Sequence, residues 1–573
     1  MKTIVTLLVV GLLLTASLAA QTPADVEKYS IWVGMHQTSF DDNPKKVGEY
    51  RYLLEDVLPE FRFDYLSAGP NSVFTINSHY FDKENAFGSL KTTVGDQFKG
   101  KFQFRSSTRQ LEQDLLENVE AREWYPLSST NGGKILTHEL KDPGANYSYQ
   151  RREVLSEISV LLSRQHNVRL VASHRSIFRD GKTQAVSSNH CFSCHLTSQE
   201  AKVNDQMHSL QAGVEAEVGK YDVGYTFGYR VYNSEAATPT AYYDEAKHPV
   251  NGGSGAEFSS REIYDDTTLV YSQKPHTEKT SHKVKFAGDV AQGKFAAAIS
   301  YSRAKNTVSD LVAHTYSGVA NYARVLSPKT RLVAKGTLIR SEAGDPWIEV
   351  PIFRRGRPGT QKDFSYTRWS SLDRIGGKFE AEVTHRINNR WTLAVLGGYE
   401  RLSRDDYPSY DAGTTSNTFI GQAKVKYRQG LRYTSTLKYR FEKTADPFVS
   451  GRGLFERPGS ELDPVSIGGT AVGYFYYQRE DLRYQDITTE PTDYHEIKWT
   501  GTYRPNTRVS VNAGFKFVYD KNGDLDTLDV KHTSMAPDVS LTFIPDVRWS
   551  LTGGFTYNYN KSRGPVTVAL FDG

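Results

Sequence analysis

Apolar and polar side chains alternate residue by residue through most of this chain, in short segments joined by connections that are by turns brief and long. Strict alternation puts every second side chain on one face of an extended strand. Between 390 and 402, Trp391, Leu393, Val395 and Gly397 share one face, and Thr392, Ala394, Leu396 and Gly398 share the other. Tyr433, Ser435, Leu437 and Tyr439 fall on one side in the same way, as do Val509, Val511, Ala513, Phe515 and Phe517. Tyr399, Tyr439, Tyr519 and Tyr559 sit near the ends of such segments. A strand that crosses a bilayer shows lipid one face and water the other, and aromatic rings gather where the two meet.

The connections sharpen that reading. Short turns are expected at Gly219-Lys220, Gln292-Gly293, Pro328-Lys329, Asn388-Asn389, Gln429-Gly430, Pro505-Asn506 and Pro545-Asp546. Long polar segments fill the alternate gaps at 108–149, 179–204, 233–280, 342–374, 403–416, 444–489 and 520–533. Bacterial barrels keep short turns in the periplasm and long loops outside. The fold expected is therefore all-β, a large transmembrane antiparallel β-barrel with short periplasmic turns and long extracellular loops, of about 21 strands counted from Gly48. That count is odd, and the chain closes on Ala569-Leu570-Phe571-Asp572-Gly573 without a finished aromatic strand. The count is off by one, or the C-terminus lacks its last strands.

Composition matters chiefly for compartment. Lys2, the apolar run Ile4 to Leu14 and the small residues Ser17-Leu18-Ala19-Ala20 read as a signal peptide over 1–20. The apolar run is too short to span a bilayer, and no other long one follows. With 35 Tyr, 28 Phe and 45 Gly, the rest suits strands with one wet face. The net charge of +4 is small and implies no nucleic-acid partner. The expected organisation is a segment over 21–46 that is periplasmic or lumenal, then a barrel over 47–573. The place is the bacterial outer membrane, reached by Sec-type export.

Both cysteines of the chain lie in Cys191-Phe192-Ser193-Cys194-His195. C-x-x-C-H is the attachment pattern of a c-type haem: two thiols add to the vinyl groups and the histidine takes the iron. On that reading Cys191 and Cys194 are the thioether sites and His195 the proximal ligand of one haem c. A disulfide is the plainer alternative in an exported chain. A zinc site would be one ligand short. A low-spin haem needs a second axial ligand. Here His208 ranks first, His174 second and Met207 third, because a hairpin over 179–204 would bring its strand ends to the loop base. His190 adjoins Cys191 too closely to reach the opposite face.

The stretch Val47-Gly48-Glu49-Tyr50-Arg51-Tyr52-Leu53 resembles the opening strand of the MtrB/PioB family of outer-membrane barrels associated with multihaem cytochromes. Asn85-Ala86-Phe87-Gly88 and Gly95-Asp96-Gln97-Phe98-Lys99-Gly100-Lys101-Phe102 are similar too. The resemblance implies a scaffold for electron transfer across the outer membrane. It implies a barrel that sheathes a periplasmic multihaem c-type cytochrome, with an outer-surface cytochrome as a further partner and membrane lipid around it. Two features depart from the family: no cysteine precedes Cys191, and members tend to be longer. The alternative expectation is a passive or substrate-selective porin with a C-x-x-C loop disulfide and no haem.

Other motifs carry less. Asp520-Lys521-Asn522-Gly523-Asp524-Leu525-Asp526 spaces oxygen side chains as calcium loops do, but its glycine is misplaced and no Glu follows at the twelfth position, so a solvated turn is expected. No Ser-His-Asp arrangement or carboxylate pair stands out, and the chain is not expected to be an enzyme.

Overall fold

The computed structural model describes residues 26–37, 57–115, 136–190, 194–243, 267–348, 372–404, 415–448, 490–523, 530–546 and 548–564, together with short paired segments between 353 and 471. All regular structure among them is β. The first ten strands are β1 (Val26–Gln37), β2 (Val57–Ala68), β3 (Ser72–Tyr80), β4 (Ala86–Val94), β5 (Phe98–Gln110), β6 (Leu136–Leu140), β7 (Ser148–Ser163), β8 (Val168–His190), β9 (Cys194–Val218) and β10 (Tyr221–Ser234).

One sheet of 23 strands contains all ten and the later long strands. Each pairs antiparallel with the next in sequence, except β6, which runs parallel to β9. Trp549–Thr556 and Tyr559–Arg563 pair with the same partner, Lys531–Asp546, as one interrupted strand. Setting β6 aside and joining those two pieces leaves 21 strands in a single meander. This is the architecture of a large transmembrane antiparallel β-barrel, and the expected fold class holds. β1 and the Trp549–Arg563 strand are the two outermost strands of the described sheet.

The rhythm of connections holds as well. Gly219-Lys220 links β9 to β10, and Pro328-Lys329 links Val312–Ser327 to Thr330–Ala343. The turn after Val290 is Ala291-Gln292, one residue before the expected Gln292-Gly293, with both residues at positive φ (46° and 62°). A two-residue hairpin with both central residues left-handed matches the strand twist. The last short turn falls just after Asp546 rather than on Pro545-Asp546.

Alternation sorts the two faces. Leu338 (69% exposed), Phe379 (55%) and Leu437 (49%) share a parity with Val395, Tyr399, Phe419, Tyr439 and Phe441, all exposed and apolar. The other parity carries Lys378, Glu380, Lys438, Arg440 and Glu496. An apolar belt of this extent suits contact with lipid, and the charged face suits a wet lumen. The pleat expected for Tyr433, Ser435, Leu437 and Tyr439 is therefore the outward face. Tyr439, expected near a strand end, lies midway along Tyr433–Ala445, where its Oη is 2.8 Å from His495 Nδ1 on that face. Leu437→Arg is expected to destabilise the barrel by about 2–4 kcal/mol, and Thr436→Arg, one residue along on the lumen face, far less. Urea unfolding followed by the heat-modifiable gel shift measures both. Equal losses would contradict the assignment of faces.

Two boundaries differ from expectation. The segment 21–46 was expected to lie outside the barrel, but β1 pairs with β2 through twelve registered positions, Val26↔Ala68 to Gln37↔Val57. Its own alternation, Tyr29, Ile31, Val33 and Met35 against Ser30, Trp32 and Gly34, supplies the reason. The segment 179–204 was expected as a long loop, yet it is strand on both sides of 191–193. Away from lipid a paired ladder needs no apolar face, so its Lys, Gln, Ser and Thr residues hid it. The resemblance motif Val47–Leu53 lies outside the described residues, while Gly95 (φ +53°) opens the tight turn before Phe98. Asp520 pairs with His532 Nδ1 at 3.0 Å and Asn522 Nδ2 donates to the Glu490 carbonyl at 2.7 Å, so both tie the turn to its neighbours. Asp524 and Asp526 lie outside the described residues.

Candidate functional site

β8 and β9, of 23 and 25 residues, are the longest strands. Their neighbours stop early. β7 follows β8 only to Tyr149↔Gly181, and β10 follows β9 only to Ser234↔Asp205. From Lys182↔Lys202 to His190↔Cys194 the hairpin continues beyond β7 and β10 for nine more rungs, with β6 beside Cys194–Ser198. At about 3.3 Å per residue that is an arm of roughly 30 Å. It leaves the wall on the rim of the long connections.

The fork where it leaves is specified by residues. Gly181 holds φ +150°, and a Cβ there would lie 2.2 Å from the Ser148 carbonyl oxygen, so only glycine lets β7 start against β8. Asp205, 3% exposed, takes Arg179 Nη2 at 2.9 Å and Lys274 Nζ at 2.9 Å. The arm is strapped further out. Gln184 Nε2 donates to the Asp114 carbonyl, and the Asp114 amide donates back to Gln184 Oε1, each at 2.7 Å. The Lys141 amide donates to the Ser198 carbonyl at 3.0 Å, and the Glu200 amide to Asp142 Oδ2 at 2.6 Å. Tyr147 and Ser198 are fully buried beneath these contacts. Burial, then the nearby charges of Asp142 and Glu200, pushes the Tyr147 phenol above its usual range.

The C-x-x-C-H motif reaches into the end of this arm. Cys191, Phe192 and Ser193 lie outside the described residues, and Cys194 and His195 open β9. β6 runs alongside with Leu136↔Cys194 and Thr137↔His195 in register. His138 therefore stands at the position of Leu196, one step from His195. The sequence offered no signal for it, because a parallel pairing between segments so far apart has no local pattern.

The expected second ligands are elsewhere. His208 is thirteen residues from His195 on the same strand, about 43 Å at the usual rise, and His174 pairs with Leu210, further still. Met207 faces Ile177 beside His208. The expectation that these residues reach the motif is corrected: the ladder runs unbroken where a folded-back loop was assumed. His174 and His208 do meet each other. Ser176 Oγ lies 3.0 Å from His174 Nε2 and 2.7 Å from His208 Nδ1, with the ring centroids 6.3 Å apart. His174 and Ser176 are buried, with Phe178 edge-on to the His208 ring. This knot ties β8 to β9 inside the wall. Among the described residues no group of three His, Cys, Asp or Glu is placed to hold a metal ion.

The donor set itself fits a c-type haem: two thiols and one imidazole, in the C-x-x-C-H order, ending a hairpin that stands clear of lipid. The lumen face is the other candidate surface. Glu153 holds Arg151 and Arg175 at 2.6 Å each, and Arg440 reaches Glu380 at 3.3 Å and Glu442 at 2.7 Å.

No family model matches the chain, and no curated protein matches its sequence. Among solved structures it is similar to the ferric-catecholate import receptor Fiu of E. coli K12, at 9% identity and a TM-score of 0.43, over 86% of this chain and 74% of that one. The copper transporter OprC gives 9% and 0.42 over 85% and 72%, and the ferric citrate transporter FecA 10% and 0.40 over 94% and 78%. Similarity at that level says nothing of what this chain binds or carries.

Proposed function

We propose that this chain is an outer-membrane barrel that scaffolds electron transfer across that membrane and carries one covalently bound c-type haem. The observation that carries the reading is a C-x-x-C-H motif at the end of a hairpin that extends nine rungs beyond the wall, on the rim of the long connections. Cys191 and Cys194 would hold the haem and His195 its iron. The haem, when bound, supplies one-electron redox chemistry, while the protein sets its position, exposure and ligation.

The barrel contributes insulation and room. Barrels of 22 strands have a lumen filled by a plug, and the described sheet of 21 meander strands is close to that size. A periplasmic multihaem cytochrome is the partner that such a lumen would sheathe, and the arm would hand electrons on to an outer-surface acceptor.

The second reading is a porin, favoured by the charge-lined lumen face; its Cys191 and Cys194 would form a disulfide. The two separate on colour. Protein purified from cells competent in cytochrome maturation is expected to be red, with one haem per chain; colourless protein would favour the porin. The side of the membrane is tested with Ser188→Cys in a Cys191→Ser/Cys194→Ser background, probed by a membrane-impermeant maleimide. Labelling of intact cells is expected; labelling only after lysis would place the arm on the periplasmic side.

A further inference from the structure

The lumen face is not electrically uniform. From Arg374 to Lys521 several of its cations meet carboxylates: Lys378 with Glu400 at 3.2 Å, Arg440 with Glu380 and Glu442, and Lys516 with Glu496 at 3.5 Å, while Lys498 stands in register between Lys438 and Lys516. Around the turn between β4 and β5 a second group of lysines is met only in part. Register sets Lys91 directly opposite Lys101, with Lys99 two residues away on the same face. Like charges placed opposite each other destabilise a sheet unless something neutralises them. Lys101 has Glu157 at 3.1 Å, but Lys91 and Lys99 have no carboxylate partner among the described residues. Lys285 joins them across a concavity of 460 Å³, with Glu215 3.8 Å from its Nζ. Four lysines against Glu157 and Glu215 leave that concavity a net charge of +2.

Its place in the fold matters. Lys91 and Lys99 flank the Gly95–Gln97 turn, so the patch lies at the short-turn mouth of the lumen. Short turns face the periplasm in barrels of this kind. We propose that this patch is a docking surface for an acidic, carboxylate-bearing protein that enters the lumen from the short-turn side. The inference rests on the conduit reading and adds the chemistry of the partner's surface. Carboxylates arriving there relieve the Lys91–Lys101 repulsion, and the field of the patch steers them in. The attraction weakens as salt rises.

The test is retention of c-type cytochrome on the affinity-tagged chain, isolated from gently solubilised outer membranes. Wild type is expected to retain cytochrome at low salt and lose it as salt rises. Lys91→Glu/Lys99→Glu/Lys101→Glu is expected to retain about tenfold less. Lys91→Arg/Lys99→Arg/Lys101→Arg, which keeps the charge, is expected to retain it fully, and the heat-modifiable gel shift confirms that both variants are folded. Undiminished retention by the folded glutamate variant would overturn the docking surface while leaving the conduit reading intact. Equal loss in the arginine variant would also overturn it, since charge would not be what is recognised. A wild-type chain that retains no cytochrome overturns the conduit reading itself. If that chain also shows an anion-selective conductance that the glutamate variant abolishes, the patch serves free anions.

Discussion

Cys191→Ala/Cys194→Ala is expected to remove haem staining from the chain on denaturing gels, a loss of about tenfold or more, since both covalent links to the porphyrin are gone. The barrel itself should be unaffected. Cys194 lies beyond the wall: β7 and β10 leave the hairpin at Gly181 and Asp205, well before it. Abundance in the outer membrane and the heat-modifiable gel shift should match wild type. Each single alanine variant should retain weaker staining, because one thioether still holds the haem. Haem signal that persists undiminished in the double variant would show it to come from a partner. An equal shift in electrophoretic mobility with and without reductant in wild type would count against the disulfide alternative.

Asp205→Ala is expected to have the largest effect of any single wall substitution on the arm. The Asp205 carboxylate is 3% exposed and joins Arg179 of β8 to Lys274 of the following connection. It stands on the rung where β10 ends, so it holds the fork closed. Removing one member of a buried charge cluster leaves the other charges uncompensated. Arg179 and Lys274 are each about a third exposed, and water screens part of that loss. A cost of about 2–3 kcal/mol follows, or roughly 30- to 150-fold more frequent opening at the fork. Limited proteolysis between 182 and 204 reads this directly. Wild-type cleavage rates in the variant would show that the arm is held by its straps at Asp114 and Asp142 instead.

The wall was legible in the sequence because lipid imposes a strict rule. Leu437, Tyr439 and Phe441 must face outward while Lys438 and Arg440 face the lumen, and a period of two records that choice in the primary structure. The turns were legible for a related reason: Gly219, Pro328 and Gly430 interrupt the alternation where the chain reverses. Where lipid ends, the rule lapses. Residues 182–190 and 194–204 pair as regularly as the wall does, but with mixed polar faces, and they read as loop. The second-ligand candidates failed with that misreading, since a loop would have folded His208 back and a ladder holds it away. Long-range contacts left no local trace at all. Nothing near Lys274 announces Asp205, and nothing near His138 announces the register of β6 on β9.

The most direct test of the central claim is electron transfer in proteoliposomes. The chain, purified with the cytochrome that accompanies it, is inserted into vesicles that enclose an oxidised redox dye coupled to a large polymer, and a reductant coupled to a polymer too large to pass a porin is added outside. The account predicts that the enclosed dye is reduced, and that reduction falls sharply with Cys191→Ala/Cys194→Ala. A dye that stays oxidised while small sugars equilibrate freely through the same vesicles would contradict it, and would make this barrel a porin.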